Sequence, residues 1–110
     1  MVANITWPIT NEDMMIDPVA AIIAEYLSQV KLCVFSHITS VPSVIVPLEA
    51  LSNLCKSVGA LVLVDGAHAF GNIPINITSL AANGVDFYVS NAHKWLYSGK
   101  GAAFLWGYTY

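Results

Sequence analysis

A chain of 110 residues that is 56% hydrophobic and only 10% charged departs sharply from the roughly 25% charge of an average soluble domain. The length allows one domain at most, and a mean hydropathy of +0.64 points to burial in a membrane or inside something larger. A spanning helix is excluded because Asp17, Glu25, Lys31, His37, Glu49, Lys56, Asp65 and Asp86 break every apolar run well short of the ~18 residues needed. The net charge of −3, with no arginine in the sequence, leaves no basic stripe to neutralise phosphates, so nucleic acid is not an expected partner. What remains is the interior of a larger α/β domain.

In chain order, Val2, Ile5 and Trp7 predict a first strand ended by Pro8. Asp17-Pro18 predicts a helix start, Asp17 capping and Pro18 in the first helical position, with Val19, Ile22, Ile23, Tyr26 and Leu27 lining one side to about Ser28. The apolar run Lys31–Ser36 reads as a strand buried on both faces, followed by a loop over His37–Val46. A second helix starts at Pro47, carries Leu48, Leu51, Leu54, Cys55 and Val58 at helical spacing, and stops at Gly59. Ala60–Asp65 predicts a buried strand ending in an acid, Thr78 caps a short helix, and Asp86–Ser90 and Ala102–Trp106 predict the last two strands. Strands alternating with helices imply right-handed parallel crossovers, with function gathered at the carboxyl ends of the strands. Cys33 and Cys55 fall on apolar faces, where buried unpaired thiols are expected. The N-terminus lacks the charged and apolar regions of a secretory signal, which predicts a cytoplasmic protein.

Three polar clusters follow three of these strands: His37-Ile38-Thr39-Ser40, Asp65-Gly66-Ala67-His68 and Ser90-Asn91-Ala92-His93-Lys94. Holding an acid, histidines and a lysine just past apolar strands is costly unless they face a common ligand. A metal site is disfavoured, because no pair has Cys-x-x-Cys or His-x-x-x-His spacing and an adjacent lysine would repel a cation.

The segments Val64-Asp65-Gly66-Ala67-His68-Ala69-x-Gly71 and Asp86-Phe87-Tyr88-Val89-Ser90-Asn91-Ala92-His93-Lys94-Trp95-Leu96 resemble the cofactor-binding core of class V aminotransferases. This pyridoxal-phosphate (PLP) group includes cysteine desulfurases and isopenicillin N epimerase-like proteins, and the resemblance covers about Lys31 to Trp106. Ser36-His37-Ile38-Thr39-Ser40 and the histidine at position 68 lean toward the epimerase-like branch. The resemblance implies an α/β fold, part of the large domain of a fold-type I PLP-dependent transferase, with a mostly parallel sheet and flanking helices.

By the same resemblance Lys94 is the Schiff-base lysine, whose chemistry needs an amine able to shed its proton near neutrality. Asp65 is the acid that pairs with the pyridine nitrogen and keeps the ring an electron sink; read from its residues alone, it can also cap the turn before Gly66. His68 matches the position packed near the ring and its phenolic oxygen, and His93 the histidine on the phosphate side. Asn91 stands where many relatives carry a phosphate-binding serine, with Ser90 beside it able to supply a hydroxyl. Ser40 falls where desulfurases have an asparagine bonding the phenolic oxygen. His37 reads as a core histidine.

The resemblance further implies an amino-acid substrate and a homodimer in the full-length parent. It makes residues 1–110 one partial domain, with the N-terminal part of the large domain and the C-terminal small domain absent. The substrate-gripping arginine of that small domain is absent with it. Two descriptions therefore stand side by side. The chain is the core of a PLP-dependent enzyme of epimerase, lyase or desulfurase type, inactive as a fragment, or a non-catalytic remnant serving as an interaction module.

Overall fold

The computed structural model describes residues 1–108. It contains helix α1 (Asp13–Tyr26), strand β1 (Leu32–Ser36), helix α2 (Leu48–Ser57), strand β2 (Leu61–Asp65), helix α3 (Ile77–Ala82), strand β3 (Phe87–Asn91) and strand β4 (Ala103–Gly107). The strands form one sheet in the order β1-β2-β3-β4. β1, β2 and β3 run parallel and β4 is antiparallel to β3, so the sheet is mostly parallel as expected.

The period of two along each strand divides the sheet into two unlike faces. One carries Cys33, Val62, Val64 and Tyr88, which are buried with Ile23, Leu48, Cys55, Ala60 and Val85 in a single core. The other presents Leu32, Val34, Leu61 and Leu105, each 41–65% exposed. α2 packs on β1 and β2, and α1 packs on α2, so the helices serve the first face. The expectation that these strands are buried on both faces holds for one face only.

Several local expectations are corrected. Residues 1–7 form no strand: Val2 and Trp7 are exposed, and without a neighbouring ladder an extended segment has nothing to hold it. α1 begins four residues before Asp17, because the Asn11 Oδ1 accepts from the Met14 N–H at 3.1 Å and fixes the first turn there. Pro18 consequently lies inside the helix, where it leaves the Met14 carbonyl without its usual partner. The helix closes at Tyr26, and Leu27–Gln29 continue as one 3₁₀ turn. α3 is capped by Asn76, whose side chain accepts from Ser79 N–H at 3.0 Å, and Thr78 lies within the helix instead. α2 and its glycine stop fall where expected, with Gly59 at φ +75°.

The thiols are buried but not free. Cys33 of β1 and Cys55 of α2 are joined by a disulfide, because the helix crosses the strand with both side chains pointing into one core. A second cross-link between layers is ionic. Lys56 of α2 reaches Asp86, just before β3, at 2.6 and 2.7 Å, and the same carboxylate accepts from Val62 N–H at 2.7 Å.

Candidate active site

Parallel pairing sets Ser36 opposite Asp65 and Asp65 opposite Val89, so the exits of β1, β2 and β3 share one edge. Peptide dipoles and free backbone groups at such an edge face whatever binds there. The three polar clusters of the sequence all start from it.

After β2 the chain turns at once. The Gly66 carbonyl accepts from the N–H groups of Ala69 and Phe70 at 2.9 and 3.0 Å, and Asp65 Oδ1 accepts from Ala67 N–H at 2.9 Å. The turn-capping role of Asp65 is therefore real, yet its side chain remains exposed and has no salt-bridge partner among the described residues. The turn carries His68 to within 3.3 Å of Lys94, measured from Nε2 to Nζ. At this distance the two nitrogens can share one hydrogen bond, the imidazole accepting from an ammonium or donating to a neutral amine.

After β3 the chain is held by Ala92 N–H to Ala102 O at 2.9 Å and Leu96 N–H to Ala92 O at 3.1 Å. His93 and Lys94 project from this turn, both exposed. Asn91 ends β3 opposite Ala103; its Oδ1 is buried with no hydrogen-bond partner. Ser90 points the other way. Strand alternation places it on the face of Tyr88, where it is 2% exposed and its hydroxyl donates to the Gly66 carbonyl at 2.9 Å. It holds the turn and does not present a hydroxyl at the edge.

The structure thus brings Lys94 and His68 into contact and sets Asp65, Asn91 and His93 on the same two turns. It does not hydrogen-bond Ser40 to any of them. Ser40 is exposed in the tight 39–44 loop, its carbonyl accepting from Ser43 Oγ at 3.4 Å. A groove of about 550 Å³ runs along β1 between residues 1–9 and α1, but its lining includes none of Asp65, His68, His93 or Lys94.

Beneath the edge lies a pair that the motif reading left in the core. His37 Nδ1 is 2.9 Å from Tyr88 Oη, with the rings nearly perpendicular at 84°. Burial pushes the His37 imidazole below its ordinary value, and burial together with the Asp65 charge pushes the Tyr88 phenol up to about 12. Both side chains are therefore neutral across the physiological range. Gly66 lies directly against the Tyr88 ring, so that a Cβ there would collide with its hydroxyl edge. The Asp65-Gly66 step was the available sequence signal for this close approach.

The aminotransferase class-V family model matches residues 2–109. An L-cysteine desulfhydrase of Arabidopsis thaliana is 38% identical over 78 residues, which are 70% of this chain and 16% of that protein. Isopenicillin N epimerase of Streptomyces clavuligerus is 34% identical over 86 residues, 78% of this chain and 21% of that protein. The chain thus spans about a fifth or less of these relatives. A cysteine desulfurase from Escherichia coli superposes with a TM-score of 0.70 at 25% identity, covering 83% of this chain and 22% of that one. Serine palmitoyltransferase from S. paucimobilis, solved with a bound PLP-myriocin aldimine, gives a TM-score of 0.69 at 22% identity over 84% of this chain and 25% of that one. The expected fold is therefore the observed one, a portion of the large domain of fold-type I PLP-dependent enzymes. Since the family model runs through both strand-exit motifs and nearly every residue around them, the chain belongs to the aminotransferase class-V family.

Proposed function

We propose that this chain is the central cofactor-binding segment of a PLP-dependent enzyme that acts on an amino acid by epimerase, lyase or desulfurase-like chemistry, and that it works within a homodimer. The observation that carries the reading is the 3.3 Å contact between Lys94 Nζ and His68 Nε2. It joins the two motifs on which the resemblance to this family rests.

The donor set fits the cofactor. Lys94 offers an exposed primary amine as covalent anchor, and Asp65 an exposed carboxylate for the ring nitrogen. His68 stands within hydrogen-bond reach of the amine and would neighbour the ring. Asn91 has a buried amide atom with an unmet hydrogen-bonding need, and a half-turn of that amide exchanges acceptor for donor, as a phosphate requires. His93 adds a ring N–H on the phosphate side, and Ser40 a hydroxyl from the loop after β1. PLP, when bound, supplies an electron sink for charge developing at the substrate α-carbon. This chain's part is to hold that group, to keep a carboxylate at its nitrogen and to place an amine where a proton can be taken up or released.

Incubation with PLP, borohydride reduction and peptide mapping test the assignment. Label is expected on Lys94 and lost in Lys94→Ala; preferential label on Lys31, Lys56 or Lys100 would overturn it. With no arginine to grip a substrate carboxylate, the 110-residue chain is expected to show no turnover of any amino acid by itself.

A further inference from the structure

We propose that His37 and Tyr88 are a buried positioning pair that sets the turn carrying Asp65 and His68. The inference rests on the functional reading above and adds to it two residues outside the donor set.

Three strands are tied together at this pair. His37 follows β1, and its backbone N–H donates to the Asp65 carbonyl at 2.8 Å, while its carbonyl accepts from Val46 N–H at 2.9 Å. Its ring is tied to Tyr88 of β3 at 2.9 Å. Tyr88 is 1% exposed, and its ring is the surface on which Gly66 rests. Gly66 is then fixed from two further sides, its N–H donating to Val89 O at 2.7 Å and its carbonyl accepting from the Ser90 hydroxyl at 2.9 Å. A residue held on its Cα, its N–H and its C=O has no freedom to rock. The neighbouring side chains Asp65 and His68 inherit that fixity.

A neutral hydroxyl bonded to a neutral ring is suited to this task, because a charged pair at the same depth would compete with Asp65 for any cation at the edge. If the Oη–Nδ1 bond sets the ring angle, removing it lets the ring tilt and the Gly66 support drop away. The Ala67 N–H to Asp65 Oδ1 bond loosens with it.

Residue-resolved amide exchange on the full chain tests this without cofactor. In Tyr88→Phe, which keeps the ring and deletes the bond, exchange at Ala67, Ala69 and Phe70 should quicken about tenfold. Leu51 and Cys55 in α2 should be unchanged. His37→Ala should match it, and should serve alone if Tyr88→Phe does not fold. His37→Asn, which keeps a side-chain amide near the hydroxyl, should restore slow exchange. Uniform acceleration across the chain, or no change in the 67–70 turn, would overturn the positioning role. In a second arm, borohydride labelling by PLP at Lys94 should fall at least about threefold in Tyr88→Phe and His37→Ala and recover in His37→Asn. Wild-type label absent from Lys94 would refute the functional reading and leave the exchange result standing; label unchanged by the variants would refute the pair's role while leaving that reading intact.

Discussion

Gly66→Ala isolates the tightest packing contact at the candidate site. Gly66 has no left-handed backbone, so the cost of a side chain there is one of space, and the added methyl would meet the Tyr88 atoms Cε1, Cζ and Oη. Tyr88 cannot yield freely, being fully enclosed and tied to His37. Forcing an extra methyl into a filled site costs about 1–3 kcal/mol, and breaking the Tyr88–His37 bond about 1 kcal/mol more. A loss of roughly 2–4 kcal/mol follows, equivalent to a fall in Tm of roughly 10–20 °C for a domain of this size. Urea or thermal unfolding of Gly66→Ala measures it. A Tyr88→Leu background, which removes all three colliding atoms, should reduce the cost of Gly66→Ala to within about 0.5 kcal/mol. Equal costs in the two backgrounds, or a cost below about 0.5 kcal/mol in the native background, would refute the argument that Tyr88 dictates glycine here.

Asp86→Asn removes the charge that holds both Lys56 and the Val62 N–H and should destabilise by about 1–3 kcal/mol in urea unfolding, whereas Lys56→Met, which keeps the stem packed, should cost less. Reducing the Cys33–Cys55 disulfide, which spans 22 residues, should lower stability by about 3 kcal/mol on the loop-entropy model; equal unfolding midpoints with and without dithiothreitol would count against it. Because burial holds His37 below its ordinary 6.5, the unfolded chain takes up the proton first, so its contribution is complete above about 6.5 and is lost as pH falls through the lower folded value. Tyr88 has the opposite sense, since its folded value is raised to about 12 from 10. Its contribution is complete below 10 and is lost as pH rises through about 12, and Tyr88→Phe should flatten that alkaline limb in unfolding measured across pH.

The parts of the fold legible in the sequence were those where local signals agreed. The Pro47 start, the three- and four-residue spacing and Gly59 act together on α2, and the β-branched, apolar Ala60–Asp65 run marks a strand, though only one of its faces is buried. Where a single signal stood alone it was outweighed. Asp17-Pro18 has every mark of a helix start, yet the Asn11 side chain captures Met14 N–H first, and the helix that begins there runs on through Pro18. The pairing of Cys33 with Cys55 depends on how α2 crosses β1, a tertiary fact that no spacing encodes. At the site, the Asp65 and Lys94 motifs were readable because they are contiguous. The His37–Tyr88 pair was not, because its members are 51 positions apart and each, taken singly, is an ordinary core residue.

The composition that first set this chain apart finds its explanation in the sheet. A chain of 110 residues with 10% charge has few polar groups to spread over its surface, and the structure shows where the deficit falls. Leu32, Val34, Leu61 and Leu105 line one uncovered face while the opposite face closes over Val62, Val64 and Tyr88. The same alternation that sends Tyr88 and Ser90 inward sends Asp65 and Asn91 to the open side. The groups most suited to a ligand therefore share a face with the apolar surface and not with the closed core. The exposed apolar face and the placing of Asp65 beside it thus follow from one strand alternation.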